Sequence, residues 1–207
     1  LQEFVVEPEK TLAWARAEFV VDPPEKLVPD SGAGSPVLDR LIGLWSDASE
    51  EVLIETAYFV PTRAGARFIV QRARDGVSTQ LLTNSLAAND VLPVHAGYAK
   101  YRRRLLKAGV GIYEYQRSAA RGESDLRLSS ASSDASLHAK VMVFDGKITW
   151  VGSFNLDPRS AALNTELAIV IHDEAIAQRV AAMIQRDLLP DRAWRLALEP
   201  RASGGLG

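Results

Sequence analysis

Residues 137–160 read LHAKVMVFDGKITWVGSFNLDPRS, and this stretch holds the clearest structural signal in the 207-residue chain. It contains two apolar runs of strand length, over residues 137–144 and 148–151. The dipeptide Asp145-Gly146 between them favours the backbone angles of a tight β-hairpin turn. The stretch therefore predicts two antiparallel strands joined by a short turn.

The first of these strands carries two polar side chains on one face. His138 and Lys140 are two residues apart, so both point to the same side of a strand. Val141 and Val143 point to the other side, into the core. Taken alone, a His-x-Lys pair is more typical of a solvated surface than of a functional site.

The end of the second predicted strand adds further polar groups, at Gly152, Ser153 and Asn155. Because a hairpin folds back on itself, Ser153 and Asn155 return to the level of the His-x-Lys pair. Imidazole supplies a nucleophile or an acid/base, Lys a fixed positive charge, and Ser and Asn neutral hydrogen-bond donors. Gly152 permits close backbone approach. Such a set can hold a phosphodiester and stabilise its transition state.

Strands and helices alternate along the chain before the hairpin. Apolar runs predict strands over residues 51–60, 77–84 and 110–115, and helical spacing predicts helices over 36–49, 63–74 and 91–108. After the hairpin, the sequence predicts a strand over 164–171 and a helix that begins after Asp173. Strand–helix–strand connections are right-handed and pair their strands in parallel. We therefore predict an α/β fold, with a mixed, mostly parallel β-sheet flanked by helices on both faces.

The domain organisation is predicted to be simple. Residues 1–35 predict an extended lead-in segment with one short strand at 18–21. Residues 36–207 predict a single domain that contains the hairpin. Within it, residues 117–136 hold seven Ser and little apolar content, so they predict a loop. Because the chain begins with Leu1 and not with Met, we expect it to be part of a longer protein.

The composition excludes several classes of protein and of site. Zero Cys excludes disulfide scaffolds, thiol catalysis and Cys-ligated zinc, and only three His argue against a His-rich metal site. Lys and Arg number 24 against 26 Asp and Glu, and the formal net charge of −2 argues against a strong electrostatic grip on nucleic acid. No apolar run approaches the roughly 18–20 residues of a membrane span.

The polar groups of the hairpin fit the motif of a known family. The matching positions are His138, Lys140, Asp145, Gly152, Ser153 and Asn155. Their pattern, His-x-Lys followed by Asp and then by Gly-Ser-x-Asn, resembles the HKD motif of the phospholipase D superfamily. Glu166 matches the acidic residue that this family carries downstream. Stretches such as ETAYFVP and GSFNLDPRSAALNTE are similar to the carboxy-terminal half of bacterial cardiolipin synthases with two motifs, and this likeness covers most of residues 35–207.

The resemblance implies a mechanism that passes through a phosphohistidine. In the family, one His attacks phosphorus, and the His of a second motif protonates the leaving alcohol and later deprotonates the acceptor. The amino-terminal motif usually supplies the nucleophile. This favours general acid/base catalysis for His138, with the role of nucleophile as the alternative. An imidazole pKa of about 6.5 suits either role.

The same resemblance implies roles for the other motif residues. Lys140 and Asn155 would bind the non-bridging phosphate oxygens, and Ser153 would add a hydrogen bond. Glu166 would orient the imidazole ring of the motif through its second nitrogen. Asp145 would fix the turn and not touch phosphate. No metal or other cofactor is implied, because Lys140 takes the charge-neutralising role.

Two further groups of residues are candidates for substrate binding. Asn84 and Ser85 follow a predicted strand at its carboxyl end, where α/β sheets tend to hold ligands, and an ordinary loop is an equal alternative. Lys100 and Arg103 belong to a basic stripe on the helix over 91–108. A solvated helix face is the simpler interpretation of that stripe, and attraction to anionic lipid surfaces is the alternative.

The sequence contains one HKD motif, whereas cardiolipin synthases of this type carry two. We therefore interpret the chain as half of a phosphatidyltransferase that acts in cardiolipin synthesis, moving a phosphatidyl group between phospholipid alcohols. The predicted partners are the phospholipid substrate and the amino-terminal half of the same protein, and nucleic acid is not an expected partner. The predicted location is the bacterial cytoplasm, peripheral on the inner membrane.

Two alternatives to this interpretation stay open. Two one-motif chains could form a homodimer that completes a phosphodiesterase or nuclease site, although the net charge of −2 counts against a nuclease. The other alternative is a non-catalytic lipid-binding module. The complete motif counts against it, because binding alone does not need these residue types at fixed spacings. By itself, the chain is expected to be inactive as a transferase.

Overall fold

A mixed eight-stranded β-sheet forms the centre of the protein. The computed structural model describes residues 13–85, 92–116 and 137–198. The strands are β1 (Arg16–Val21), β2 (Glu51–Thr56), β3 (Ser78–Asn84), β4 (Gly111–Tyr115), β5 (Lys140–Phe144), β6 (Ile148–Gly152), β7 (Leu167–His172) and β8 (Ala193–Arg195). The α-helices are α1 (Pro36–Asp47), α2 (Arg63–Arg74), α3 (Leu92–Lys107), α4 (Pro158–Ala162) and α5 (Glu174–Asp187), and a short 3-10 helix covers Pro24–Leu27.

The strands lie in the order β1-β7-β6-β5-β2-β3-β4-β8 across the sheet. β2, β3 and β4 are parallel neighbours, as the strand–helix alternation predicts. The β5–β6 hairpin is also present, with Phe144 opposite Ile148. The α/β fold with a mixed sheet is therefore confirmed.

The mostly parallel character predicted for the sheet is wrong. Five of its seven strand pairs are antiparallel. Parallel neighbours need a crossover between the two strands, and in the described residues only α2 and α3 connect neighbouring strands in this way. The hairpin adds its strands antiparallel to β2, with Lys140 opposite Thr56.

Helices cover both faces of the sheet, as predicted. α1, α2 and α3 pack on one face, in a core that includes Trp45 and Met142. α5 packs on the other face, where Ile184 contributes to a cluster with Val141 and Val143. Successive residues of β5 thus serve opposite faces, which is the alternation predicted for the motif strand.

Polar side chains start the helices at the places where the sequence predicts them. The Ser35 hydroxyl accepts a 3.2 Å hydrogen bond from the Leu38 amide at the start of α1. Thr62 caps α2. Asp173 caps α5 by accepting a 2.8 Å hydrogen bond from the Ile176 amide. Each cap satisfies a backbone amide that has no partner inside the helix.

Several elements differ from their predicted bounds: β2 ends at Thr56 and not at residue 60, β7 begins at Leu167 and not at residue 164, and α4 is not predicted. Three further differences concern the motif and the edges of the sheet. The motif strand begins at Lys140, so His138 lies in the loop before it. β1 lies within the segment interpreted as a lead-in and pairs with β7 along its whole length, so this segment supplies an edge strand of the sheet. The three-residue β8 is not predicted at all. The loop predicted over 117–136 lies outside the described residues.

Candidate active site

The motif residues meet at one edge of the sheet. β5 runs antiparallel to both β2 and β6, so β5 begins at the edge where β2 and β6 end. His138 immediately precedes β5, and Ser153 and Asn155 follow β6. The hairpin therefore brings the two ends of the motif to the same edge of the sheet.

Hydrogen bonds to backbone atoms fix the loop that carries His138. The Asn84 side-chain amide donates to the Leu137 carbonyl and accepts from the Leu137 amide, both at 2.9 Å. It also donates to the Ala57 carbonyl at 3.0 Å, and the Ala57 amide donates to the Ala139 carbonyl at 2.9 Å. Both neighbours of His138 are therefore held, whereas its own imidazole is exposed and makes no side-chain hydrogen bond within the described part of the chain.

Lys140 supplies a buried cation next to His138. Its side-chain ammonium donates to the His138 carbonyl at 2.8 Å, and the residue is only 8% exposed. Burial lowers the pKa of the Lys140 ammonium, and the carboxylates of Glu166 and Asp157 act in the opposite direction. The ammonium thus has two acidic groups in its surroundings, Asp157 from the loop after β6 and Glu166 from the residue before β7.

Glu166 is buried and fixes the Ser153 hydroxyl. Its carboxylate accepts hydrogen bonds from that hydroxyl and, at 3.1 Å, from the Asn164 side chain. The Ser153 hydroxyl in turn accepts from the Leu167 amide at 3.1 Å. The hydrogen bond expected between Glu166 and the His138 ring does not occur among the described residues.

A buried carboxylate that the sequence analysis misses holds the backbone of Glu166. Asp22 accepts from the Glu166 amide at 3.2 Å, and its own amide donates to the Glu166 carbonyl at 2.9 Å. The Asp22 carboxylate also pairs with the Lys26 ammonium at 2.5 Å. Burial alone raises the pKa of Asp22, but hydrogen bonds from Lys26, Ser35 and the Val37 amide hold it below its ordinary value. No local spacing signals this role, since Glu166 lies 144 residues away.

Asn155 lies in the loop between β6 and α4. Its amide donates to the Ser160 hydroxyl at 3.1 Å, and its carbonyl accepts from the Asp157 amide at 2.8 Å. Asp157 also caps α4 by accepting from the Ser160 amide at 2.8 Å. The side-chain oxygen Oδ1 of Asn155 is buried and has no hydrogen-bond partner among the described residues. The side chain of Asn155 therefore has one unused hydrogen-bond acceptor at the site.

Asp145 lies at the other end of the hairpin, in its turn. Its carboxylate accepts hydrogen bonds of 2.8–2.9 Å from the backbone amides of Ser49, Glu50 and Glu51. Asp145 and Gly146 adopt φ values of 50° and 61°, as a tight hairpin turn requires. The carboxylate thus ties the connection between α1 and β2 to the hairpin turn and does not reach the motif edge.

Gly152 is required by the neighbouring strand. A Cβ atom at this position would lie 2.4 Å from the Leu167 carbonyl oxygen and 3.0 Å from the Ala168 Cα atom. The close approach expected at Gly152 is therefore an approach of β6 to β7. A larger residue would displace β7 and, with it, Glu166 from its contact with Ser153.

The predicted substrate contacts lie in two different places. Asn84 and Ser85 are at the motif edge, but they are only 4% and 2% exposed. Because the Asn84 amide is engaged with backbone groups, it positions the motif loop and does not line an open pocket. Lys100 and Arg103 lie in the second half of α3, which returns from the end of β3 to the start of β4. The structure therefore does not bring these two basic side chains to the motif.

Lys100 and Arg103 instead line a groove of about 510 Å³ between α2 and α3. The other basic residues that line it are Arg74, Arg104 and Lys107. We call this surface the basic groove. Within the ranges that the structure describes, none of its five basic side chains pairs with an acidic side chain.

Comparison with known proteins shows the family. Residues 41–188 match the family described as cardiolipin synthase, PLD-like domain. The chain belongs to this family. Cardiolipin synthase C of Escherichia coli is 43% identical over 190 residues, in a match that covers 91% of this chain and 40% of that protein. Cardiolipin synthase B of the same bacterium is 31% identical over 160 residues, with 72% of this chain and 34% of that protein covered.

Solved structures show the same fold for this cardiolipin synthase-like domain. Nuc from Salmonella typhimurium, a phospholipase D family member, matches with a TM-score of 0.62 at 15% identity, and the match covers 89% of this chain and 100% of that chain. Phosphatidylserine synthase from Haemophilus influenzae matches with a TM-score of 0.60 at 14% identity, covering 88% of this chain and 39% of that chain. At these identities, the likeness concerns the fold alone.

The cardiolipin synthase-like domain spans about 40% of the length of its Escherichia coli relative. Over the described ranges, no helix combines the length and the apolar character needed to cross a membrane. The same ranges contain no group of three or more His, Cys, Asp or Glu side chains that could hold a metal ion.

Proposed function

We propose that this domain is the catalytic half of a phosphatidyltransferase of the cardiolipin synthase type, which moves a phosphatidyl group between phospholipid alcohols. The observation that carries the proposal is the presence of His138, Lys140 and Asn155 at one edge of the sheet: an exposed imidazole, a buried ammonium and a side-chain amide. A phosphodiester carries a negative charge that pairs with a cation, and its oxygens accept several hydrogen bonds at once. The 43% identity to cardiolipin synthase C supports a phospholipid as the source of that phosphodiester.

The proposed reaction has two displacement steps at phosphorus. In the first step, a histidine nitrogen forms a bond to phosphorus while the bond from phosphorus to the first alcohol oxygen breaks, and a second histidine gives its proton to that oxygen. In the second step, the second histidine takes the proton of the acceptor hydroxyl, whose oxygen displaces the first histidine from phosphorus. The proton given in the first step is recovered in the second, so the catalyst is restored.

The residues of this domain fit one half of that scheme. His138 is proposed to give and take the proton, because its exposed imidazole is free to face a substrate. Lys140 is proposed to neutralise the non-bridging phosphate oxygens, and the side-chain nitrogen Nδ2 of Asn155 to donate a hydrogen bond to one of them. Because the Ser153 hydroxyl is already engaged with Glu166, these two residues are proposed to act as a fixed pair beside the phosphate.

A second motif is needed for this chemistry, since one imidazole cannot lie on both sides of phosphorus at once. The chain contains one His-x-Lys sequence, and the match to cardiolipin synthase C covers 40% of that protein. We therefore propose that an upstream half of the same protein supplies the histidine that attacks phosphorus. The phospholipid and this upstream half are the proposed partners.

A phosphodiesterase completed by homodimerisation is the second candidate function. Four side chains on β1 and β7 form an exposed apolar surface, which we call the β1–β7 patch: Phe19, Val21, Leu167 and Ile169, which are 69%, 45%, 44% and 41% exposed. Phe19 faces Ile169 and Val21 faces Leu167 across the two strands, so all four lie on one face of the sheet. A second copy of the chain would cover this patch and bring a second His138.

The basic groove supports a proposed location at the cytoplasmic surface of the bacterial inner membrane. Five basic side chains line this groove. Each contributes about 1 kcal/mol of attraction when it lies near an anionic lipid surface. An enzyme with phospholipid substrates gains access to them in this way.

The decisive experiment adds the second motif. The chain alone and the chain extended by its upstream region are mixed with phosphatidylethanolamine as donor and phosphatidylglycerol as acceptor, and cardiolipin is measured by mass spectrometry. The extended protein should make cardiolipin, and the chain alone should be slower by at least about 10²–10⁴-fold. Equal rates from a demonstrably monomeric chain would overturn the half-site proposal, and an extended protein that transfers no phosphatidyl group would overturn the proposed activity.

A further inference from the structure

An apolar cavity of about 310 Å³ lies between α1, α2 and the loops that follow β2 and β6. Trp45 of α1 and Phe68 of α2 line it with their rings in an edge-to-face contact, 5.9 Å apart between centroids. Phe59 lines it from the loop after β2. Its lining includes exposed residues, Ile42 and Ala64, so the cavity opens to the surface between the two helices.

The loop after β6 has one side toward this cavity and one toward the motif. Phe154 and Leu156 line the cavity, and they alternate along the chain with the motif residues Ser153 and Asn155. The Leu156 carbonyl accepts a 2.8 Å hydrogen bond from the Val60 amide, which joins this loop to the one after β2. A single short loop therefore separates the proposed phosphate site from an apolar space.

We propose that this cavity binds one hydrocarbon chain of the phospholipid substrate while the phosphate lies at the motif. This inference rests on the proposed function, because it takes the ligand to be a phospholipid. Its volume falls within the range of about 300–1,000 Å³ that is usual for small-molecule sites. The substrate would then contact both sides of the loop from Ser153 to Asp157.

The lining of the cavity favours a hydrocarbon over a polar group. Of the described residues that line it, only Asp157 is charged, and only Thr62 adds a polar side chain without charge. Both lie at the end toward the loops, and the Asp157 carboxylate is already engaged as the cap of α4. An apolar chain gains about fourfold in affinity for each methylene group that leaves water for such an environment.

The inference is tested by binding a series of phosphatidylglycerol analogues to the 207-residue chain. Lysophosphatidylglycerols with single acyl chains of about four to ten carbons are compared by calorimetry with glycerophosphoglycerol, the same head group without a chain. Affinity should rise about fourfold per methylene and then level off when the cavity is full. Affinity that is independent of chain length would overturn the inference.

Variants of α2 locate the binding site. Ala64→Phe places an aromatic ring at the mouth of the cavity, and Arg67→Phe places the same ring on an exposed position of the same helix that does not line it. The first variant should lose the dependence on chain length and keep the affinity for glycerophosphoglycerol, whereas the second should behave as the unmodified chain. Equal effects of the two variants would contradict the proposal. If Ala64→Phe does not fold, Ala161→Leu narrows the cavity from its opposite wall.

A fluorescence measurement locates the bound acyl chain independently. A bromine atom at the end of the acyl chain should quench the emission of Trp45, and the Trp45→Phe variant should lose that part of the quenching. Quenching that is unchanged in this variant would place the chain elsewhere and overturn the inference. Failure of glycerophosphoglycerol and of the whole acyl series to bind would instead overturn the proposed function, whereas binding of the head group without a chain-length effect would leave that function standing.

Discussion

At the scale of single residues, the site divides into groups that can meet a substrate and groups that hold them. The His138 imidazole is exposed, and the Lys140 ammonium lies just beneath the surface next to it. Asn84 and Asp22 are buried and bind backbone atoms of the residues around the motif. Substitution of His138 or Lys140 is expected to lower turnover directly. Substitution of Asn84 or Asp22 is expected to lower it by displacing the motif residues.

Replacement of His138 by Ala should abolish turnover of phospholipids with little change in stability. Because the imidazole is exposed and makes no side-chain hydrogen bond in the described ranges, its loss should change the free energy of unfolding by no more than about 0.5 kcal/mol. Turnover by the extended protein should fall by about 10²–10⁴-fold if His138 is the acid/base. Full activity of a folded variant would exclude a catalytic role.

A phosphodiester of p-nitrophenol separates the two roles of His138. Nitrophenolate leaves without a proton, so the His138→Ala variant should still release one equivalent of it in a burst if His138 is the acid/base. No burst is expected if His138 is the nucleophile. The matched control is His172→Ala, because His172 pairs with Glu18 at 2.5 Å and lies outside the motif. The control should retain the turnover of the unmodified protein.

Replacement of Asp145 by Ala should lower stability. The carboxylate accepts three backbone hydrogen bonds, two of them exposed, and its loss exchanges these charge-assisted bonds for weaker ones to water, at an expected cost of about 1–3 kcal/mol in the free energy of unfolding. Urea unfolding followed by circular dichroism measures this difference. Asp75→Ala is the control, since the Asp75 carboxylate binds only side chains at an exposed helix end. Equal losses in both variants would show that the hairpin turn has no special dependence on its carboxylate.

Glu55 should make stability depend on pH. Burial raises the pKa of this carboxyl group to about 8, and the nearby Asp187 carboxylate adds to the rise. The folded protein therefore keeps a proton that the unfolded chain, with an ordinary pKa of 4.5, releases. The resulting stabilisation is complete below pH 4.5 and is lost as the pH rises through about 8. Urea unfolding at a series of pH values should show this decline, and Glu55→Gln should remove it. Identical profiles for the two proteins would contradict the prediction.

The residues that would carry the chemistry could be named from the sequence, whereas those that position them could not. His138 and Lys140 are recognisable because they match the spacing of the motif, although His138 lies in the loop before β5 and not on the strand. Asn84 could be assigned only to a strand end, since its role depends on the carbonyl and amide of Leu137, 53 residues away. No pattern in the sequence indicates the role of Asp22. A side chain that binds distant backbone atoms has no characteristic spacing.

At the scale of elements, the basic groove between α2 and α3 should bind anionic membranes. Reversal of two of its charges, Arg103→Glu with Arg104→Glu, should weaken binding to vesicles of phosphatidylglycerol by at least about tenfold, since each basic residue contributes about 1 kcal/mol. Binding to phosphatidylcholine vesicles should stay weak in all proteins. The double variant Arg179→Glu with Arg186→Glu makes the same change of net charge on α5. Equal weakening by the two pairs would assign the effect to net charge and not to the groove.

The bounds of helices with a regular spacing of apolar residues could be predicted from the sequence. The order of the strands in the sheet could not. α2 was expected over residues 63–74 and is observed as Arg63–Arg74, because its apolar spacing and its boundaries are local features. β8 has three residues and only one of them is buried, so it carries no pattern. The antiparallel neighbours of β2 and β7 depend on contacts between distant segments. Periodicity shows that a strand exists but not which strand lies beside it.

At the scale of the whole molecule, the β1–β7 patch should lead the isolated chain to self-associate. Its four apolar side chains are exposed on one face of two paired strands. Sedimentation velocity should show a concentration-dependent dimer, and Phe19→Glu with Ile169→Glu should shift it to monomer. Met183→Glu is the control, because Met183 has a similar exposure of 39% on α5. A chain that stays monomeric, or a control that dissociates the dimer equally, would count against this surface.

The contact between Asp22 and Glu166 has a consequence for the order of folding. It joins residues 144 positions apart, and it closes only after nearly the whole described chain is available. Contacts of such long range form late in folding, because closing a long loop costs chain entropy before the contact contributes any stabilising free energy. A nascent chain on the ribosome can therefore form α1 and α2 before it can form the contact between Asp22 and Glu166. We therefore expect Glu166 to reach its buried position beside Ser153 only after the residues that follow Glu166 have been synthesised.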